Sequence, residues 1–139
     1  MRILFLLIFS VIFANDRSWD EKLLYNASFG GIDVATATLK SKKIINIENQ
    51  DILRIEFKAK SRPSLKYIFP INDKIIVDVD LNTWQPLKVE KKIREGSYKQ
   101  NSLSTFDHKN NIFIYKKDSI SYDGEIFNPY SLIYYFRTL

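Results

Sequence analysis

The stretch Leu53-Arg54-Ile55-Glu56-Phe57-Lys58-Ala59-Lys60 decides the fold of this chain, because apolar and charged residues alternate along its whole length. Successive side chains of a β-strand point to opposite faces, so this alternation predicts a strand with one buried and one solvated face. Such one-sided strands are typical of antiparallel sheets. We therefore predict that this strand belongs to an antiparallel sheet.

Two segments further along the chain, residues 74–81 and 87–94, repeat the alternation. The residues predicted to face inward are Ile75, Val77, Val79 and Leu81 in the first segment and Leu87, Val89 and Ile93 in the second. Asp78 and Asp80 are predicted to face solvent, while Lys91 interrupts the inner row. Both segments are therefore predicted to be strands of the same sheet.

Turn residues predict that the remaining segments pair as hairpins. Gly30-Gly31 separates two strand-like runs near the start of the chain, and glycines readily adopt the positive φ angles of a tight hairpin turn. His108-Lys109-Asn110 separates two further runs, residues 97–106 and 111–117, and Gly124 marks another turn.

The last residues break the alternation and predict a short helix. Asn128 is a good N-cap, and Pro129 suits the first helical position. Apolar residues then recur at helical spacing, at Leu132, Tyr135, Phe136 and Leu139, with Ile133 and Tyr134 on the other side. A helix that is apolar nearly all round needs cover on both sides. We therefore expect Ile133, Tyr134 and Phe136 to be partly exposed, as an edge or interface.

Residues 1–14 predict export. Met1-Arg2 is a short basic start, and residues 3–14 form an apolar run too short to cross a membrane, which needs roughly 20 residues of helix. We predict a signal peptide over residues 1–14, cleaved after Ala14, and a location in the periplasm or cell envelope. The absence of cysteine excludes disulfides, thiolate metal sites and lipid attachment through a cysteine.

Residues 15–139 are predicted to form a single β-rich domain, because a chain of this length folds around one core. The predicted strands and the one apolar helix indicate a mainly β fold. We expect an antiparallel, highly curved sheet or open barrel with a short C-terminal helix.

A series of short motifs runs through residues 15–139. The motifs are Leu24-Tyr25, Phe29-Gly30-Gly31-Ile32, Lys58-Ala59-Lys60-Ser61, Phe69-Pro70 with Asp73, Thr83-Trp84-Gln85-Pro86-Leu87, Arg94-Glu95-Gly96-Ser97-Tyr98, Phe106-Asp107 and Asn128-Pro129-Tyr130-Ser131-Leu132-Ile133-Tyr134-Tyr135-Phe136-Arg137. In order and spacing, this series resembles the exported bacterial family called domain of unknown function 3108. The resemblance implies a periplasmic or envelope-associated antiparallel β protein without an agreed activity, and it supplies no catalytic residue.

The family pattern continues past the helix with further strands, so the resemblance implies a truncated or short-form member that lacks C-terminal strands. Two alternatives stay open for the apolar helix. Either the chain forms a homo-oligomer through the uncovered edge, or it is an unstable fragment of a larger domain. Composition does not decide between them.

Few residues suggest chemistry. His108 and the adjacent Asp107 are the residue types of a general base and the carboxylate that orients it. Neighbouring residues in a turn point apart, however, and no nucleophile is identifiable. Asp78 and Asp80 lack the glycine and the glutamate of a calcium loop, and acids on the solvated face of a strand are commonly structural. We therefore predict no catalytic residue, no metal site, no cofactor and no enzymatic activity.

A basic cluster lies close together in the sequence. It consists of Lys88, Lys91, Lys92, Arg94 and Lys99, with Tyr98 among them. One interpretation is a solvated strand face, and the other is contact with an anionic membrane surface. Export argues against a nucleic acid as partner.

Aromatic residues are frequent, with 8 Tyr and 10 Phe. They either fill a packed core or line a cavity for an acyl chain. We predict a non-enzymatic periplasmic or envelope-associated protein that binds a hydrophobic or lipid-like ligand on a concave apolar face. The alternative is a structural or interaction protein with a packed core that pairs through its open edge, and a hydrolase ranks third.

Overall fold

The structure is a computed structural model that describes residues 19–46 and 48–139. The predicted signal peptide, residues 1–14, and its cleavage after Ala14 lie outside the described residues.

An eight-stranded sheet makes up most of the described chain, and each strand is hydrogen-bonded to the next in chain order. The elements are β1 (Glu21–Phe29), β2 (Ile32–Ile45), β3 (Asp51–Ser61), β4 (Asn72–Asp80), β5 (Pro86–Glu95), β6 (Tyr98–Asp107), β7 (Ile112–Tyr115), β8 (Asp118–Ser121) and the helix α1 (Pro129–Phe136). All seven pairings are antiparallel. Because β1 and β8 are the two edges, the sheet is not closed. The predicted antiparallel, mainly β fold with a C-terminal helix is confirmed.

The register between β3 and β4 defines the inner face of the sheet. The opposed pairs are Leu53 with Val79, Ile55 with Val77, and Phe57 with Ile75. Directly opposed residues project to the same side of a sheet. Leu53 and Ile55 are completely buried, so the alternation in residues 53–60 predicts the buried face correctly.

Helix α1 lies against the inner face and completes the core. Tyr134 is 1% exposed and belongs to the same buried cluster as Leu39 and Ile55. The Tyr130 ring packs on Phe57, with 5.2 Å between the ring centroids. The helix therefore takes the place of a second layer over the apolar strands.

The expected partial exposure of Tyr134 is wrong, whereas Ile133 and Phe136 are 42% and 63% exposed. Tyr130 and Tyr134 lie four positions apart and share a helix face. That face packs on the sheet, so Ile133 and Phe136 are left on the solvent side. When apolar residues surround a helix, the sequence pattern does not reveal which face of the helix packs on the sheet.

Local interactions fix the start of α1 as the sequence predicts. The Asn128 side-chain oxygen accepts a hydrogen bond from the Tyr130 N–H at 3.0 Å, and the Asn128 N–H donates to the Ser131 hydroxyl at 3.3 Å. This reciprocal pair is a capping box, and Pro129 occupies the first turn. No helix in the described part of the chain is long and apolar enough to cross a membrane.

Two predicted hairpins are confirmed, and one predicted strand is divided. Gly30 and Gly31 have φ angles of 57° and 79° and form the turn between β1 and β2. The turn that contains His108 joins β6 to β7. Residues 111–117 are not one strand, because Lys116 has a φ of 56° and turns the chain into β8. Lysine rarely adopts this conformation, so the sequence carries no signal for the turn.

Candidate functional site

Three connections meet at one end of the sheet. In an antiparallel sheet whose strands follow chain order, every second connection lies at the same end. The connections β1–β2, β3–β4, β5–β6 and β7–β8 therefore lie toward the same end, and the first three are joined there. We call it the loop end and define it as residues 29–32, 62–71 and 96–98.

Backbone hydrogen bonds join the three connections to one another. The Arg62 N–H donates to the Val34 carbonyl at 2.9 Å, next to the first connection. The Gly96 N–H in the third connection donates to the Pro70 carbonyl of the second at 2.8 Å. The loop end is therefore one continuous surface.

The longest connection, residues 62–71, is also held by hydrogen bonds of its own. The Phe69 N–H donates to the Leu65 carbonyl at 2.8 Å. The Ser61 hydroxyl donates to the Phe69 carbonyl and accepts from the Ile71 N–H, the latter at 2.6 Å. Backbone groups thus fix the connection and leave its large side chains free to project outward.

Large apolar side chains crowd the surface of the loop end. We call them the apolar rim: Phe29, Ile32, Tyr67, Ile68, Phe69 and Tyr98, each more than half exposed. Phe29 and Phe69 also line an apolar cavity of about 200 Å³ with Val34 and Ile71. Exposed large apolar side chains grouped at one end of a fold are typical of sites of contact with proteins, ligands or membranes.

Basic side chains line a cleft beside the apolar rim, on the outer face of the sheet. We call it the basic cleft, and its charged residues are Lys60, Lys66, Arg94 and Lys99. Its volume is about 360 Å³, and no carboxylate is among its lining residues. Pro70 and Ile71 of the longest connection complete its wall, so the rim and the cleft adjoin.

The positive charge of the basic cleft is not compensated within the described residues. None of its four cations forms an ion pair there. The Arg94 guanidinium instead donates to the Ile93 carbonyl at 2.6 Å and to the Asn101 side-chain oxygen at 2.9 Å. Neutral acceptors therefore orient the guanidinium and leave its charge in place.

The structure separates the five members of the predicted basic cluster. Arg94 and Lys99 lie in the basic cleft, whereas Lys88, Lys91 and Lys92 line a groove further along β5. Lys91 projects to the inner face, because it lies opposite the inner residue Ile75. The predicted interruption of the inner row is thus confirmed.

The sequence did not predict that Lys60 and Lys66 join Arg94 and Lys99. Lys60 ends the alternating stretch of β3, and Lys66 lies in the connection that follows. Only the order of the strands brings these residues next to the β5–β6 hairpin. The outward position of Lys60 in the alternation was the one available signal.

Over β2 to β5, the apolar part of the inner face is occupied by α1, chiefly through Tyr134. Along β6 this face carries the polar residues Gln100, Ser102 and Ser104, which lie opposite the inner residues of β5. Packed aromatic rings of Phe106, Phe113 and Tyr115 continue it over β6 and β7. The chain itself therefore covers the part of the predicted concave site that lies over β2 to β5.

His108 and Asp107 have structural partners. The His108 ring nitrogens contact the Pro86 carbonyl and the Tyr122 hydroxyl, both at 2.7 Å. Asp107 accepts hydrogen bonds from the backbone of Lys109 at 3.1 Å. A hydrogen bond from the Asn110 side chain is the chief cause that lowers the pKa of Asp107. These contacts build the turn between β6 and β7.

The expected solvent exposure of Asp78 is wrong. Asp78 does project to the outer face, but it is 7% exposed, because the Arg54 guanidinium covers it with bonds of 2.7 and 2.8 Å. Asp80 accepts from the Gln50 side chain at 2.7 Å. Within residues 19–46 and 48–139, no group of three or more His, Cys, Asp or Glu is placed to hold a metal ion.

A pair of carboxyl groups that was not predicted lies on the inner face near the loop end. Asp73 is 8% exposed and accepts a hydrogen bond from the Arg94 N–H at 2.8 Å. A hydrogen bond with Asp73 raises the pKa of Glu95, and the negative charge of Asp73 adds to that effect. The two residues stand in different strands, so only the pairing of β4 with β5 brings them together.

Residues 24–139 match the model of one protein family, which is described as "Protein of unknown function (DUF3108)". Comparisons with curated proteins and with solved structures gave no match. The match includes the loop end, the basic cleft and α1. The chain therefore belongs to the DUF3108 family.

Proposed function

We propose that this protein is a non-enzymatic module of the bacterial cell envelope that attaches to a lipid surface through its loop end. The observation that carries the proposal is the apolar rim, in which three connections expose six large apolar side chains. Tyrosine and other amphipathic aromatic rings suit the boundary between water and acyl chains. A protein can lie on a membrane through such a surface without crossing it.

The hydrogen bonds of the loop end support this proposal. Ser61 holds the backbone on both sides of Pro70, through its contacts with Phe69 and Ile71. The exposed side chains of Tyr67 and Ile68 are therefore presented by a fixed backbone. Little ordering is then needed on contact, which lowers the entropy cost of binding.

The sequence favoured a lipid-like ligand on a concave apolar face. Tyr134 and Tyr130 of α1 cover the apolar residues of β2 to β5 on the inner face. We therefore propose the lipid contact at the loop end, where apolar surface is exposed. The periplasm remains the proposed location, on the basis of the predicted signal peptide.

A second candidate is an interaction protein that pairs with another copy of itself. Ile133 and Phe136 on the outer side of α1 favour it, because both are substantially exposed. Sedimentation of the chain without lipid distinguishes the two candidates. A stable dimer supports the second candidate, and a monomer that binds vesicles supports the first.

Vesicle co-sedimentation tests the lipid proposal. A chain beginning at Asn15 keeps every described residue and removes any contribution of the signal segment to binding. We expect it to bind phosphatidylcholine vesicles, and the triple variant Tyr67→Ser, Ile68→Ser, Phe69→Ser to bind at least about tenfold more weakly, because burial of each such side chain contributes about 1.5–3 kcal/mol.

The matched control removes three exposed apolar side chains elsewhere. It is the variant Ile45→Ser, Ile133→Ser, Phe136→Ser, and all three positions are at least 42% exposed. We expect it to bind vesicles as the unchanged chain does, with both variants retaining the thermal transition in circular dichroism. Equal binding by the rim variant, or a comparable loss in the control, would overturn the proposal.

A further inference from the structure

We propose that the basic cleft binds the phosphate group of an anionic phospholipid whose acyl chains meet the apolar rim. This inference rests on the proposed function and names the lipid class. It starts from the position of the cleft, because Pro70 and Ile71 belong both to its wall and to the connection that carries the rim. A headgroup in the cleft would therefore lie beside its own acyl chains.

The cleft contains a like-charge contact in which neither cation has a carboxylate partner among the described residues. Arg94 lies directly opposite Lys99 across the β5–β6 pair, and like charges in that position destabilise a sheet. Cations also oppose one another elsewhere on this face, where Lys42 faces Arg54 and Lys74 faces Lys58 and Lys92. There, however, Arg54 is paired with Asp78, and Glu56 accepts from Lys74 at 3.2 Å. The uncompensated charge at the loop end thus favours an anion as the missing partner.

The geometry of the cations suits phosphate. The Arg94 guanidinium donates to three neutral oxygens through its two terminal nitrogens, which leaves its Nε–H and one Nη2–H for an oxyanion. Lys60, Lys66 and Lys99 come from β3, from the longest connection and from β6, so they surround the cleft from different elements. A volume of about 360 Å³ lies in the range of small-molecule sites.

Nearby acids do not cancel this charge. Glu95 follows Arg94 in the chain, but successive residues of a strand face opposite sides. Its carboxyl lies beside Asp73 on the inner face, where the two share a hydrogen bond. Asn72, on the wall of the cleft, carries no charge. An anion on the outer face therefore meets cations and neutral groups.

The test compares vesicles of phosphatidylcholine with vesicles that also contain phosphatidylglycerol. We expect the chain from Asn15 to bind the anionic vesicles at least about tenfold more tightly at low salt, with the difference shrinking as salt rises. The variant Lys60→Gln, Lys99→Gln should lose most of that preference. It should keep its binding to pure phosphatidylcholine, because the apolar rim is unchanged.

The control variant is Lys88→Gln, Lys92→Gln, which removes the same charge from the same outer face at two residues that do not line the cleft. We expect it to keep most of the preference, with less than about a threefold loss. If the two double variants lost the preference for anionic vesicles equally, only net charge would matter. That result would overturn the proposal that the basic cleft binds the phosphate group. The proposed function is tested separately by binding to pure phosphatidylcholine vesicles. The rim variant should lose this binding, and the two lysine variants should keep it.

The last experiment measures the binding of inorganic phosphate to the basic cleft. We expect weak binding of free phosphate, seen as small shifts of the Arg94 and Lys99 signals in NMR spectra at high concentration. Phosphate that binds more tightly than anionic vesicles would make the cleft a site for a soluble anion and would overturn the lipid assignment.

Discussion

Large apolar residues stand at both ends of the sheet, but aromatic rings pack on one another at only one of them among the described residues, which we call the covered end. At the end opposite the loop end, the Trp84 ring lies between Trp19 and Tyr135, with centroid distances of 5.5 and 5.8 Å. At the loop end, the rim residues are each more than half exposed within the described chain. The same residue types therefore stabilise the fold at the covered end and are free to bind at the other.

The two ends also differ in how they accommodate left-handed backbone. At the covered end, Trp84 has a φ of 61°, and its N–H donates to the Asp80 carbonyl at 2.8 Å. The aromatic contacts of Trp84 offset the strain of this conformation. At the loop end, Gly30 and Gly31 take positive φ angles with no heavy atom near a Cβ position. Glycine makes the turn there without packing.

The largest expected effect belongs to the covered core. Tyr134→Ala removes a ring that is 1% exposed, so we expect the free energy of unfolding to fall by about 3–5 kcal/mol. Ile68→Ala, at the loop end, should change it by less than about 0.5 kcal/mol. Urea denaturation followed by circular dichroism measures both, and similar losses would contradict the contrast between the ends.

A conservative control sharpens this prediction. The Tyr134 hydroxyl is buried near the Ser41 hydroxyl but makes no hydrogen bond of ordinary geometry among the described residues. Tyr134→Phe removes that unsatisfied group and keeps the ring, so we expect stability that is unchanged or higher by up to about 1 kcal/mol. A large loss in Tyr134→Phe would show that the hydroxyl, and not the ring, secures α1.

The next effect concerns the hairpin at the loop end. Gly31 has a φ of 79° and open space around it, so Gly31→Val should cost about 1–3 kcal/mol through backbone strain alone. Gly31→Asn should cost much less, because asparagine tolerates this conformation. Thermal denaturation of the two variants measures the difference, and an unchanged melting temperature in Gly31→Val would contradict the turn.

The sequence predicts the sheet well, because alternation reports directly which side chains are buried. The inner residues Leu53, Val77 and Val89 are all buried as predicted. The rotation of α1 could not be predicted, since apolar residues surround the helix and only contacts with the sheet turn Tyr134 inward. The turn at Lys116 was missed because its residue type carries no turn signal.

The candidate site is less accessible to sequence reasoning than the fold. Arg94 and Lys99 were recognised as basic, but Lys60 and Lys66 join them only through the strand order. The apolar rim combines Phe29, Tyr67 and Tyr98 from three distant parts of the chain. Exposure of an apolar residue in a connection depends on what packs over it, and the local sequence does not contain that information.

The smallest expected effect is a pH dependence at the loop end. The hydrogen bond with Asp73 raises the pKa of Glu95 above its ordinary value of 4.5. The folded state therefore favours protonated Glu95, and this contribution is present at acid pH and is lost as pH rises through the raised pKa. Above the raised pKa, deprotonated Glu95 instead faces the negative charge of Asp73.

Glu95→Gln keeps an N–H donor for Asp73 at every pH, so this variant should be slightly more stable than the unchanged chain at pH 7. The difference should vanish below about pH 4.5, where Glu95 is protonated. Urea denaturation of both proteins across this range measures it, with Glu125→Gln at an exposed position as the control. A stability difference that is constant with pH, or one that grows on acidification, would show that the two carboxyl groups share no proton.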